Sequence, residues 1–185
     1  NSVREYDPLR RILREIDLMG NTTQYQYDLF AKPSTITNPD GGVQTQTYDP
    51  SGRLSTSTNI RGETTRYGYD SSGRLNTVTD SVGHTTRYSY DEHGRIVSVT
   101  DALGHTTRVE YDLAGRPTAR ILPTGEKETK SFNAAGELSS LIGFDGQKTL
   151  FDYDLLGRLK KTIYADGRTI DRAYTPNGLP LTIAE

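Results

Sequence analysis

One dipeptide recurs at a fixed interval through the whole chain. Tyr-Asp stands at Tyr6, Tyr27, Tyr48, Tyr69, Tyr90, Tyr111 and Tyr153, with Phe132-Asn and Tyr174-Thr in the two remaining slots, and every interval is 21 residues. A period in this range is the mark of a repeat array, in which each unit is one supersecondary element that buries its surface only against its neighbours. The 185 residues therefore read as a single array, 1–185, with eight full repeats from Tyr6 and a partial ninth from Tyr174. Beginning without Met and stopping mid-pattern at Glu185, the chain reads as a fragment of a longer protein.

Two glycine series punctuate the repeat. Four residues after each Tyr come Gly52, Gly73, Gly94, Gly115, Gly136, Gly157 and Gly178, with Arg10 and Ala31 in the first two repeats. Ten residues further on, the second series includes Gly62, Gly83, Gly104 and Gly125 and is complete in all eight repeats. Both points have turn chemistry. In Asp70-Ser-Ser-Gly73 the carboxylate bonds backbone two residues on, and Gly accepts the left-handed conformation that ends a three-residue hairpin loop. Asp80-Ser-Val-Gly83 reads the same way, and the acid is lost toward the C-terminus, where Leu122, Gly143 and Tyr164 hold its slot.

The segments between turns are about seven residues long and rich in Thr and Tyr, which favour strands and disfavour helix. Thr86, Tyr88 and Tyr90 share one face at period two, and Thr85, Arg87 and Ser89 the other. The fold class is thus all-β: a repetitive antiparallel β-hairpin strip, about two strands per 21-residue repeat and about seventeen in all. Stacked at ~4.8 Å, that many strands span roughly 80 Å, and a twisted sheet of such length curls. Apolar residues make up only 32% of the chain, too little for two tightly packed sheets, so the strip is expected to curl around a space; the resemblance described below implies that it is part of a hollow spiral shell.

The odd period adds a constraint. Across three-residue loops, directly paired residues lie an even number of positions apart, so an identical Tyr every 21 residues would alternate faces. One β-bulge, or one even loop, is therefore expected in every repeat.

The motif Tyr-Asp-x-x-Gly-Arg-Leu at Tyr48–Leu54, Tyr69–Leu75 and Tyr153–Leu159, followed by Thr-Asp-x-x-Gly-x-Thr-Thr-x-Tyr-x-Tyr-Asp at Thr79–Asp91, resembles the RHS/YD-repeat family. That family includes bacterial polymorphic toxins, the B and C subunits of insecticidal toxin complexes, wall-associated proteins and animal teneurins. The resemblance implies a hollow shell, which in the bacterial toxins encloses a C-terminal toxic domain released by an aspartyl autoprotease core. It implies a non-enzymatic shell segment, secreted or at the cell surface within a larger bacterial protein, whose partners are the enclosed toxin polypeptide of the same parent and the neighbouring repeats. The autoprotease pattern of two Asp-Pro-x-Gly motifs with a Trp is not present: the chain has no Trp, and Asp49-Pro50-Ser51-Gly52 is an ordinary repeat turn.

Other functional readings are weaker. A net charge of −2 gives no nucleic-acid footprint, no run of eighteen apolar residues exists for membrane insertion, and zero Cys removes disulfides and thiolate metal sites. His84 and His105 share a slot filled elsewhere by Asn21, Glu63 and Gln147, so they read as solvated turn flanks, and His93 lies within a turn. Catalytic, metal and cofactor residues are expected to be none. The arginines Arg53, Arg74, Arg95, Arg116 and Arg158 read as partners of the preceding Asp rather than as an anion stripe. The repeat tyrosines Tyr48, Tyr69, Tyr90 and Tyr111, with Tyr67 and Tyr88 two residues earlier, read as the main buried resource, stacking between repeats. The alternative is a carbohydrate- or cell-surface-binding module that displays this aromatic stripe to a glycan. Asn21-Thr22-Thr23 is a glycosylation sequon of a kind common by chance.

Overall fold

A computed structural model describes the backbone of residues 2–184 and the side chains of residues 2–181. All regular structure among the described residues is β. In chain order the strands are β1 (Val3–Tyr6), β2 (Ile12–Ile16), β3 (Thr22–Tyr27), β4 (Pro33–Thr37), β5 (Val43–Tyr48), β6 (Leu54–Thr58), β7 (Thr64–Tyr69), β8 (Leu75–Thr79), β9 (Thr85–Tyr90), β10 (Ile96–Thr100), β11 (Thr106–Tyr111), β12 (Pro117–Ile121), β13 (Lys127–Phe132), β14 (Leu138–Ile142), β15 (Lys148–Tyr153), β16 (Leu159–Ile163), β17 (Thr169–Tyr174) and β18 (Pro180–Ala184). There are eighteen rather than about seventeen, because Tyr6 itself closes a strand that precedes the first turn. Contacts group the chain into two compact units, residues 1–88 with 101–103 and residues 89–100 with 104–185.

Within each unit every strand pairs antiparallel with the next in the chain. In the first unit β7 meets β8 through Arg66↔Thr79, Tyr67↔Val78 and Gly68↔Thr77, and then through Tyr69↔Leu75. Asn76 is the extra residue, so the expected bulge is present. The same shift leaves Leu13, Ser34 and Ser55 unpaired in the first unit and Thr118, Ser139, Lys160 and Leu181 in the second. The other hairpin of each repeat is regular, as in Thr77↔Arg87, Val78↔Thr86 and Thr79↔Thr85. One added residue per repeat absorbs the odd period and keeps Tyr67, Tyr69, Val78, Thr86 and Tyr88 on one face, with Arg66, Thr77, Thr79, Thr85 and Arg87 on the other. It also bends and twists the strand that carries it.

Both turn types close identically. Gly73 N–H donates to Asp70 O at 2.9 Å and Asp70 N–H to Arg74 O at 2.8 Å; Gly83 N–H donates to Asp80 O at 3.2 Å and Asp80 N–H to His84 O at 3.0 Å. The two repeats lacking the first glycine use the same geometry, with Arg10 and Ala31 at φ 61°. A left-handed non-glycine residue is strained by about 1–2 kcal/mol. Ala31→Gly is therefore expected to stabilise the chain by about 1 kcal/mol after the entropy gained by the unfolded state, read as a rise in denaturation midpoint; a fall would show that the Ala31 turn is relaxed.

Packing is thin. Among the described side chains only Ala119, 6% exposed, and Thr162, 3% exposed, are buried. Most strand positions are half-buried. Within each unit the strands rest on the neighbours they pair with, and stability must come from contacts along the array.

Candidate functional site

The chemically richest feature is a set of side chains that links consecutive repeats within each unit. Asp49 begins its first-hairpin turn. Its Oδ1 accepts the N–H of Ser51 and of Arg53, each at 2.9 Å, and its Oδ2 accepts Arg53 Nε at 2.7 Å. The guanidinium so held lies over the ring of Tyr69 in the following repeat, 4.5 Å from the centroid. Tyr69 in turn donates its hydroxyl back to Leu54 O at 2.9 Å. Carboxylate, guanidinium, ring and carbonyl thus form a closed relay across the repeat boundary.

The relay recurs in both units. Arg11 lies over Tyr27, Lys32 over Tyr48, Arg95 over Tyr111, Arg116 over Phe132 and Arg158 over Tyr174, at 4.4–5.1 Å. Hydroxyl-to-carbonyl bonds run from Tyr27 to Ile12, Tyr48 to Pro33, Tyr111 to Ile96, Tyr153 to Leu138 and Tyr174 to Leu159. Each half survives loss of the other. Phe132 keeps the cation and has no hydroxyl, whereas Tyr153 keeps its bond although Glu137 stands where the arginine would be. Burial, with the Glu137 charge added, pushes the Tyr153 phenol above its ordinary pKa. Arg95 and Arg158 reach further, donating Nη1 to the carbonyls of Asp112 and Thr175 in the next turn.

The sequence-expected positions fall as follows. Gly52, Gly62, Gly73, Gly83, Gly94, Gly104, Gly115 and Gly125 all have positive φ, from 74° to 97°. Tyr48, Tyr69 and Tyr111 carry a cation on the ring and a bonded hydroxyl, while Tyr67, Tyr88 and Tyr90 are half-buried. The arginines after the first glycine pair with the preceding Asp: Arg74, Arg95, Arg116 and Arg158 donate Nε at 2.6–2.7 Å. His84 Nδ1 lies 3.0 Å from Asp80 Oδ2, His93 lies 3.8 Å from Glu92, and His105 is an exposed turn flank. No group of three or more His, Asp or Glu among the described residues is arranged to hold a metal, and none of their helices is long and apolar enough to cross a membrane.

The stacking of Arg53 on Tyr69 was not read from the sequence, although its signal was there. The basic residue and the aromatic run in register, 16 positions apart, from Arg11 and Tyr27 to Arg158 and Tyr174. The turn carboxylates carry a second consequence. The backbone N–H of Arg74, and behind it the guanidinium, hold Asp70 below the usual carboxylate range, and Asp7, Asp49, Asp112 and Asp154 are held low in the same way. A depressed folded pKa contributes stability above the unfolded value of about 3.9, and this is lost as pH falls through the lower folded value. The denaturant midpoint should therefore be flat from neutrality to about pH 5 and fall below about pH 4. Asp70→Asn should shallow that fall, and an unchanged acid slope would refute the role given to these carboxylates.

A family model for the teneurin YD-shell matches residues 44–183. This chain belongs to the teneurin YD-shell family. Among solved structures, the YD-shell segment is similar to TcdB2-TccC3, with 18% identity and TM-score 0.55 over 99% of this chain and 12% of that one. It is also similar to TcdB2-TccC3 without the hypervariable C-terminal region, at 17% identity and TM-score 0.46 over 98% and 14%. The Tc holotoxin pore of Photorhabdus luminescens matches at 16% identity and TM-score 0.46 over 99% and 14%. The segment thus spans about an eighth of the length of these proteins, and the TcdB2-TccC3 likeness shows a shared fold. No curated protein matches the chain. The role of the YD-shell segment is structural, and within each unit the relay adds side-chain contacts between consecutive repeats to the strand pairing.

Proposed function

We propose that this segment forms part of a non-enzymatic wall that encloses a C-terminal toxic polypeptide of its own parent chain, in a bacterial toxin-delivery protein that is secreted or displayed at the cell surface. The repeat array, 1–185, serves as one continuous stretch of that wall. The observation that carries the reading is the relay between repeats. The turn Asp, the Arg and the Tyr are each spent on joining neighbours, so the repeated chemistry of the chain builds a surface rather than a centre. Membership of the YD-shell family supports the same reading. A glycan-binding aromatic stripe finds less support, because Tyr27, Tyr48, Tyr69, Tyr111 and Tyr174 each have a cation over the ring and a bonded hydroxyl.

Limited proteolysis of the full-length parent tests the proposal. The C-terminal polypeptide should survive while the repeats are intact and become degradable when residues 48–110, three whole repeats, are deleted. Equal sensitivity of that polypeptide in the two proteins would overturn enclosure and leave only the structural role of the repeats.

A further inference from the structure

One joint of the relay has its charge reversed. Five residues after the repeat aromatic the chain carries Arg11, Lys32, Arg53, Arg74, Arg95, Arg116 and Arg158, but in the seventh repeat it carries Glu137. The turn acid has gone as well: Asn133 stands in the slot of Asp49, Asp70, Asp91, Asp112 and Asp154. A neutral Asp–Arg pair has thus become an Asn–Glu pair with a net negative charge.

The carboxylate occupies the cation's place. A Cβ added to Gly52, Gly73, Gly115 or Gly136 would lie 3.1–3.4 Å from Lys32 Nζ or from Nη1 of Arg53, Arg95 or Arg116, and one added to Gly157 would lie 2.8 Å from Glu137 Oε1. Glu137 Oε2 accepts Asn133 Nδ2 at 2.7 Å, and Glu137 N–H donates to Asn133 Oδ1 at 2.9 Å. Among the described residues nothing donates to Oε1. The cations on either side are committed to their own turns, Arg116 Nε to Asp112 and Arg158 Nε to Asp154, each within 2.7 Å. Burial and then the Glu137 charge raise the Tyr153 phenol, so carboxylate and ring are neighbours.

The surroundings add a shape. The turns of hairpins β11–β12, β13–β14 and β15–β16 follow one another on one edge of the second unit, about 10 Å apart. The middle tip carries only Ala134 and Ala135, whereas Leu113 and Leu155 on the flanking tips are fully exposed and Leu156 is 72% exposed. The result is a notch between leucine-bearing tips, with a half-buried carboxylate and a half-buried aromatic ring beneath it.

A half-buried carboxylate without a counter-charge favours any cation that can reach it, and an aromatic neighbour favours one that is organic. A divalent metal takes six or more oxygens, and no group of three or more His, Asp or Glu among the described residues is arranged to hold one. We infer that the notch over Glu137 is a docking site for a lysine or arginine side chain of a partner polypeptide. Its charge pairs with Glu137 Oε1, its stem runs along Tyr153, and apolar residues beside it rest on Leu113 and Leu155. The partner supplies from outside the cation that the other joints supply for themselves. The site does not depend on what the parent protein encloses.

The full 185-residue chain is titrated with fluorescently labelled peptides that present Leu-Lys-Leu or Leu-Arg-Leu, and with a control in which norleucine replaces the central residue. At least one basic peptide should bind about tenfold or more tighter than the control. Glu137→Gln keeps the shape and removes the charge, and should weaken that peptide at least about tenfold. Glu137→Arg restores the cation within the chain, so it should abolish binding while raising the denaturation midpoint. Failure of both basic peptides to bind, equal binding of the norleucine control, undiminished binding by Glu137→Gln, or a lowered midpoint in Glu137→Arg would each overturn the assignment.

Discussion

Deleting Arg66 is expected to cost about 3 kcal/mol or more, whereas deleting Asn76, on the facing strand of the same hairpin, should cost about 1 kcal/mol or less. The two residues are alike in what their side chains contribute. Arg66 is exposed, with no hydrogen bond or ion pair among the described residues, and Asn76 is the bulged residue opposite Gly68 and Tyr69. They differ in what their removal does to parity. Without Asn76, Tyr69↔Leu75 and Gly68↔Thr77 become consecutive rungs of a regular ladder, and every side chain keeps its face. Without Arg66, strand β7 alternates with the wrong phase on one side of the gap. If Thr58↔Thr64 holds, Tyr67 and Tyr69 turn to the opposite face, and the Arg53 stack and the bond to Leu54 O are lost. If Tyr69↔Leu75 holds, Thr64 loses its 2.8 Å bond to Thr58 and the second hairpin is misfaced. Cation–π contact and a half-buried hydrogen bond are each worth about 0.5–2 kcal/mol, and misplaced apolar surface adds to them. Arg66→Ala is the control and should be near neutral. Chemical denaturation of the three variants decides it, and similar losses for the two deletions would mean that the bulge does not set the register.

How far the sequence could be read follows from the same geometry. The bulge was legible because parity is arithmetic: an odd period and an identical Tyr cannot both hold in a regular meander. The residue that bulges was not legible. Leu13, Ser34, Ser55, Asn76, Thr118, Ser139, Lys160 and Leu181 share a position and no chemistry, since a bulged side chain is asked only to tolerate its place. Turn glycines and turn aspartates were legible because left-handed backbone and carboxylate capping select few residue types. The relay was harder. Arg53 and Tyr69 are far apart in sequence, and their meeting depends on how one hairpin lies against the next. The apparent fading of the second turn toward the C-terminus is a displacement of the carboxylate at the Gly143 and Tyr164 turns and a loss of it at the Leu122 turn. The hydrogen-bonded backbone is the same at Leu122, Gly143 and Tyr164 as at Asp80, with Asp145 and Asp166 supplying the carboxylate from the third position of their turns. A turn can be capped from either end, and a reading tied to one slot sees only half of the chemistry.

Gly73→Val is expected to destabilise the chain more than Gly83→Val, and the difference measures the relay directly. Both glycines sit in the left-handed region, Gly73 at φ 82° and Gly83 at φ 95°. A β-branched side chain there is strained by about 1–3 kcal/mol, which is the whole expected cost at Gly83, where an added Cβ would meet nothing within 4 Å. At Gly73 an added Cβ would lie 3.4 Å from Arg53 Nη1, and the valine methyls beyond it would press on the same guanidinium. Arg53 cannot withdraw freely, because Asp49 holds its Nε and Tyr69 lies beneath it. The strain is then joined by loss of that ring contact, adding about 1 kcal/mol. Substituting Arg53 by Ala removes the obstacle. In an Arg53→Ala background, Gly73→Val and Gly83→Val should cost the same within about 0.5 kcal/mol. Thermal melting of the four glycine variants provides the comparison. If Gly73→Val stays the costlier substitution without Arg53, the excess lies in the turn itself and the arginine is a bystander. If the two converge, the glycine serves its own turn and also clears space for the cation that reaches across from the preceding repeat.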